Sequence, residues 1–300
     1  AGRCTVTQES DTPTGFSNSL KIATTTADTS IAAGEYHRLQ TKFEGQNLQR
    51  FAKGTTGAKE FTLSFYCKAN AAATYVVELV DNDNTRSVSK TFSVTTDWTR
   101  VIVTFPADTT GAFTNDANLS MEVNWWMHAG STYSSGTLQT TWGAIVAANR
   151  AAGINSIFDS TSRTFFITGV QLEVGSQASP FEHEQHSVTL AKCQRYTFVH
   201  QTDSDYDWAA LSGYCNTTTN ALSFYQFPVK MRASPTLTTS GSFQILDGFT
   251  SYTISSSSLS QSSPLSARVD VASSGLTVGR HIAVRNLGDS GAKLIFSAEL

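Results

Sequence analysis

Side chains along most of this chain alternate with a period of two, and that constrains its fold more than any other feature. In Phe61-Thr-Leu-Ser-Phe-Tyr-Cys, the residues Phe61, Leu63, Phe65 and Cys67 fall on one side, because successive Cβ atoms of a strand point to opposite faces. Tyr75-Val-Val-Glu-Leu-Val, the turn Asp81-Asn-Asp-Asn-Thr and Ser87-Val-Ser-Lys-Thr-Phe-Ser-Val read as a hairpin, since Asn and Asp tolerate tight-turn dihedrals. The same pattern predicts strands at 99–105, 120–128, 164–173, 209–215, 221–227, 236–239, 243–247, 252–255, 266–272, 281–286 and 293–298. Many short strands broken by turn signals predict an all-β protein built of sandwiches or jelly rolls. Helix is confined to Ser187-Val-Thr-Leu-Ala-Lys-Cys-Gln-Arg-Tyr, with Ser187 as cap and Leu190 and Cys193 on one face, and to a turn or two within 144–152.

Composition agrees with that reading and removes several functions. Hydrophobic residues make up 40% of the 300, enough for a core, whereas 15% are charged, below the usual ~25%. The net charge of -3 is spread without one-signed blocks, so no nucleic-acid partner is expected; phosphate binding needs clustered Lys and Arg. No apolar run approaches the ~20 residues that span a bilayer, so membrane insertion is not expected. The four cysteines, Cys4, Cys67, Cys193 and Cys215, form no Cys-x-x-Cys pair or Cys/His cluster. They read as free thiols, with Cys67 and Cys193 as small buried hydrophobes. Ala1-Gly-Arg-Cys lacks the charged and apolar regions of a secretory signal, and a start without Met reads as part of a longer chain.

The best boundary lies where Gly175-Ser-Gln-Ala-Ser-Pro-Phe leaves one strand series and the helix at Ser187 precedes the next. Two domains are therefore expected: residues 1–185, an N-terminal jelly-roll β-sandwich, and residues 186–300, a C-terminal β-sandwich, with the short helix linking them. In Ile167-Thr-Gly-Val-Gln-Leu-Glu-Val-Gly, alternation predicts that Val170, Leu172 and Val174 face the core and that Gly175 makes the turn. The Ser-rich stretch at 255–258 reads as an exposed loop.

Ile167-Thr-Gly-Val-Gln-Leu-Glu-Val-Gly-Ser-Gln-Ala-Ser-Pro-Phe-Glu-His, followed by Leu190-Ala-Lys-Cys-Gln-Arg-Tyr, resembles a signature of bacteriophage tail-fibre and related virion proteins. Gly15-Phe-Ser-Asn-Ser-Leu-Lys, Glu44-Gly-Gln-Asn-Leu and Phe61-Thr-Leu-Ser-Phe-Tyr-Cys-Lys-Ala resemble the carbohydrate-binding-module-like jelly roll of the same proteins. Phe227-Pro-Val-Lys-Met-Arg-Ala-Ser-Pro-Thr and the ending Phe296-Ser-Ala-Glu-Leu are similar to their terminal β-domain. The resemblance implies a virion structural protein: a tail or capsid appendage, assembled in the host cytoplasm among other virion proteins, often a homotrimer. It transfers no sugar-contacting residues.

One stretch of the chain offers sugar-binding chemistry on its own residues. In Met121-Glu-Val-Asn-Trp-Trp-Met-His, the residues Met121, Val123, Trp125 and Met127 read as core, while Glu122, Asn124, Trp126 and His128 share the other face. A flat ring beside hydrogen-bonding groups suits a pyranose, and Tyr133 and Trp142 could extend the platform. The competing reading packs Trp126 beneath a loop. Asp81-Asn-Asp-Asn lacks the Gly and distant Glu of a calcium loop, and Glu182-His-Glu-Gln-His lacks the spacing of a zinc peptidase, so no metal is expected. Asp203-Ser-Asp-Tyr-Asp-Trp reads as a solvated acidic, aromatic tip. No nucleophile elbow or phosphate-cradling loop occurs, so neither an enzyme nor a cofactor is expected. The expected function is attachment to host-surface glycan, the alternatives being a purely structural capsid decoration or collar fibre and a glycan-cleaving enzyme.

Overall fold

The computed structural model describes every residue except Phe249. The chain divides into two compact units, Ala1–His183 and Glu184–Leu300, two residues from the boundary placed by sequence. No helix among the described residues is long and apolar enough to cross a membrane.

The first unit runs β1 (Arg3–Glu9), β2 (Ser19–Thr26), β3 (Tyr36–Glu44), β4 (Phe61–Ala69), β5 (Ala73–Asp81), β6 (Arg86–Val94), β7 (Thr99–Phe105), β8 (Leu119–Ala129), α1 (Ser131–Ser134), β9 (Gly143–Ala144) and β10 (Thr164–Val174). They form two antiparallel five-stranded sheets, ordered β1-β2-β10-β4-β7 and β3-β8-β5-β6-β9. Neighbours distant in sequence require crossovers from sheet to sheet, the jelly-roll arrangement. The two sheets share one core: Phe65 of β4 meets Trp125 of β8 edge-on at 5.8 Å, and Tyr75 of β5 meets Phe165 of β10 at 5.8 Å. Burial there pushes the Tyr75 phenol and the Cys67 thiol up to about 12.

The second unit contains α2 (His186–Gln194), β11 (Thr197–Gln201), β12 (Trp208–Ala210), β13 (Gly213–Cys215), β14 (Asn220–Gln226), β15 (Thr236–Ser240), β16 (Phe243–Leu246), β17 (Ser251–Thr253), β18 (Ser256–Ser262), β19 (Ser266–Ala272), β20 (Ala283–Asn286) and β21 (Lys293–Ser297). Its strands form three antiparallel sheets, β11-β21-β15, β12-β20-β16-β17 and β13-β14-β19-β18, around one core that includes Tyr225, Phe227, Ile245, Val269 and Phe296.

Four expectations need correction. The segment at 209–215 is two short strands rather than one, and residues 256–262 pair with β19 instead of looping. An edge strand needs only backbone partners on one side, so its Ser-rich side chains carried no alternation signal. The turn expected within 144–152, by contrast, is present as a 3-10 turn, Ala147–Asn149. Cys193 is exposed, as is every apolar residue of α2 other than Ala191, because no residue of that helix is buried.

The fourth correction concerns β10. Thr168 pairs with Tyr66 and Gln171 with Ser64, so Gly169 and Val170 together oppose Phe65 in a β-bulge. Gly169 takes a φ of 59°, and a Cβ there would lie 2.6 Å from the Phe16 ring; only glycine fits. The extra residue shifts the side-chain phase. Ile167 therefore faces the core before the bulge and Leu172 packs against it afterwards, while Val170 and Val174 are exposed.

Candidate functional site

The site expected on β8 is built from alternate side chains of one strand, and the inner set is core as expected: Met121, Val123, Trp125 and Met127 are all buried. The outer set does not meet solvent as a platform. Val76, Trp126 and Ala151 form a second small core with Tyr133, Leu138 and Ile154, which the chain after β8 brings back across the sheet. Trp126 is fully buried. The Arg38 and Arg150 guanidinium carbons lie 5.2 and 5.0 Å from its ring, with Tyr36 at 5.7 Å and Tyr133 at 5.4 Å.

A buried charge explains the arrangement. Glu78 on β5 is wholly buried, and a buried carboxylate stays ionised only with close, hydrogen-bonded partners. Arg150 provides both: its Nε donates to Oε1 at 2.8 Å and its Nη2 to Oε2 at 2.9 Å. The Trp126 Nε1 donates to Glu78 Oε2 at 2.8 Å. Burial by itself would lower the Arg150 pKa, but the hydrogen bond and charge of Glu78 raise it above its ordinary value. Gln40 donates to Asn124 Oδ1 at 2.8 Å, and Asn124 donates to Glu122 Oε2 at 3.3 Å. The polar face is thus a satisfied internal network.

The remaining expected residues are dispersed. His128 Nδ1 lies 2.7 Å from Ser156 Oγ and its ring 5.1 Å from Phe158. Asp28, Glu35 and His128 bring ligand atoms within 4.8 Å of one another. The Gly2 backbone N–H donates to Asp28 Oδ2 at 3.1 Å. Trp142 packs with Phe61 at 5.9 Å and donates to the Pro106 carbonyl at 2.8 Å, in the main core rather than beside Trp126. Expecting an exposed platform of Glu122, Asn124, Trp126, His128, Tyr133 and Trp142 is therefore corrected: Asn124, Trp126 and His128 are enclosed, and Trp142 belongs to another cluster. On this side of the first unit the ring presented to solvent is Tyr36, half exposed on β3.

The second unit displays aromatic surface more openly. Tyr206 is 51% and Trp208 40% exposed. Arg285 of β20 lies beside Trp208 of β12 in the sheet register, with its guanidinium carbon 4.9 Å from the Tyr206 ring centre and 5.6 Å from that of Trp208. The supporting loop is pinned from below. The buried Asn286 donates to Thr202 Oγ1 at 3.0 Å and to the Ser204 and Asp289 carbonyls at 2.7 and 2.8 Å. Asp207 accepts from the backbone N–H groups of Trp208 at 2.8 Å and Asp203 at 3.2 Å. Tyr206 itself holds a φ of 62°, a conformation costing about 1–3 kcal/mol for a non-glycine residue and maintained only by its surroundings. Asp203 and Asp205 are exposed on the same loop. Sequence marked this loop as acidic and aromatic; the part of Arg285, 77 positions after Trp208, came only from strand pairing.

The antiparallel sheets make this an all-β protein of two units; no family model and no curated protein matches the chain. Solved structures that resemble it include the family 11 carbohydrate-binding module from Clostridium thermocellum, at 10% identity over 59% of this chain and 86% of that one, with a TM-score of 0.32. The enzymatically active domain of bacteriophage CBA120 tailspike protein 4 is 14% identical over 58% of this chain and 18% of its own, at 0.31. The tandem CBM22-1-CBM22-2 domains of Paenibacillus barcinonensis Xyn10C match 100% of this chain and 93% of theirs at 10% identity and 0.30. At such scores these likenesses are distant, and no functional argument rests on them.

Proposed function

We propose that this protein is a non-catalytic, glycan-binding structural component of a bacteriophage particle: a tail fibre or appendage that attaches to host-surface sugar. The observation that carries the binding half is the Tyr206–Arg285–Trp208 cluster. Two exposed rings offer faces for the apolar side of a pyranose. The guanidinium and the Asp203 and Asp205 carboxylates supply hydrogen-bonding groups for its hydroxyls. Because the loop is anchored through Asn286, little ordering is left to occur on binding.

The virion half rests on the sequence resemblance to tail-fibre proteins. In a homotrimer, weak sites on one particle would act together at high effective concentration, and the exposed Val188 and Leu190 of α2 would supply apolar surface for assembly. Glu78, Asp81 and Asp108 are buried against Arg150, Lys53 and Arg86 and are not open to a substrate; the exposed Asp203 and Asp205 are read here as sugar-binding groups.

The test is a glycan array probed with intact protein, alongside Tyr206→Ala and Trp208→Ala. Binding to a defined glycan class, lost in both variants, is expected. Absence of binding to every glycan and to host cells would instead identify a decoration protein, and new reducing ends from host polysaccharide would identify an enzyme. Sedimentation of intact protein tests the trimer; a monomer at micromolar concentration would remove it.

A further inference from the structure

Between the two sheets of the first unit, beneath edge strand β3, lies an apolar cavity of about 460 Å³. Leu20, Leu39, Leu63, Ile167 and Leu172 line it, and Val170 stands at its rim, 41% exposed. Its volume is within the range of small-molecule sites, roughly 300–1,000 Å³. Two further observations single it out from a packing defect.

The first is Trp125, which lines the cavity, is 2% exposed, and has no hydrogen-bond partner for its Nε1 among the described residues. A buried donor left unpaired costs about 1–3 kcal/mol, and buried indole N–H groups usually find an acceptor. Trp126, the adjacent residue in sequence, has one in Glu78. The second is the β10 bulge. Gly169 and Val170 interrupt the pairing with β4 beside the opening. Bulges are over-represented where a sheet re-aims side chains next to a functional site. Here it turns Val170 out to the rim and leaves Ile167 and Leu172 facing inward.

We propose that this cavity binds one neutral, apolar small molecule carrying a hydrogen-bond acceptor, such as an acyl chain with an ester or ketone oxygen, the acceptor taking the Trp125 N–H. The lining contains no Lys, Arg, His, Asp or Glu, so an ionised head group has no counter-charge inside. Gln40 and Thr41 are the polar side chains of the lining, which is otherwise apolar. The site is independent of the sugar site proposed on the second unit.

Prodan, a neutral naphthalene with one ketone, is a suitable probe because its emission moves to the blue in apolar surroundings and back toward the red when the ketone accepts a hydrogen bond. Titrated into intact protein, it should bind saturably at one site per chain with a blue shift. Val170→Trp, at an exposed rim position, should close the mouth and weaken binding at least tenfold. Trp125→Phe keeps an aromatic filler but removes the donor. It should weaken binding about fivefold, the equivalent of one hydrogen bond, and move the bound emission further to the blue. Failure of prodan to saturate the folded wild-type protein would overturn the proposal. So would saturable binding that neither variant alters, since the probe would then sit elsewhere. If Trp125→Phe fails to fold, the rim variant alone decides.

Discussion

The two units handle their polar and aromatic residues in opposite ways. The first buries them: Glu78, Lys53, Asp81, Asp108, Asn124 and His128 are all nearly inaccessible, and so are Trp125 and Trp126. The second keeps few charges inside, the buried Asp247 held by Arg280 at 2.9 Å being one, and places Tyr206, Trp208, Leu211, Tyr214 and Phe224 at its surface. A buried ion pair contributes little net stability over an apolar equivalent but is costly to break. Exposed rings contribute little to folding and are available to a ligand. Under the function proposed above, the second unit would carry the sugar-binding surface.

Breaking the pair at the centre of the first unit should have the largest effect. Glu78→Gln leaves the Arg150 charge buried without its counter-ion and is expected to cost about 3–5 kcal/mol in denaturant unfolding. A loss below 1 kcal/mol would mean that the network is solvated. Close behind, Trp126→Ala should cost about 3–5 kcal/mol, as for other fully buried aromatic truncations. The same change at Trp208 should stay within about 1 kcal/mol while removing glycan binding. Equal costs at the two tryptophans would erase the contrast between the units.

Asn286→Ala, which removes the amide N–H donors under the Tyr206 loop, is expected to cost about 2 kcal/mol and to weaken glycan binding with Trp208 still present. Unchanged affinity would show that the loop needs no anchor.

The smallest expected effect is a pH dependence. Burial lowers the His37 pKa, with the nearby His128 charge adding to it. Burial also lowers that of His128, opposed by Asp28 and Glu35. Since both folded values lie below the unfolded one of about 6.5, the unfolded chain binds more protons there, and stability falls as pH drops through and below that value. The melting temperature of the intact chain should decline from pH 7 to pH 5, and His37→Gln/His128→Gln should flatten the decline. An unchanged slope in the double variant would place the dependence elsewhere.

Much of the fold was legible in the chain. The strand predicted at 99–105 is β7 and that at 266–272 is β19, because their alternation reflects one wet and one dry face. The hairpin turn at Asp81 was legible as well, although its chemistry was not. Asp81 accepts from the Asn84 backbone and side chain, while the Lys53 ammonium, from a distant loop, lies 3.0 Å from Asp108 and pairs with Asp81. The candidate site was less legible. Alternation correctly divided β8 into two faces but carried no information on what would cover the second. The residues from 130 to 155 that do so contain little regular structure of their own.

What the sequence determined is therefore local: period-two side chains, turn residues and a short helix near Ser187, together setting an all-β chain. Three matters were decided only in three dimensions. Glu78 drew Arg150 across the sheet and closed Trp126 away from solvent. Strand pairing placed Arg285 against Tyr206 and Trp208. A glycine bulge reversed the phase of β10 and set Val170 at the rim of a cavity. The physical reason is common to all three: alternation follows from neighbouring residues along one strand, whereas charge compensation, cross-strand register and cavity lining depend on groups many residues apart that meet only in the folded chain.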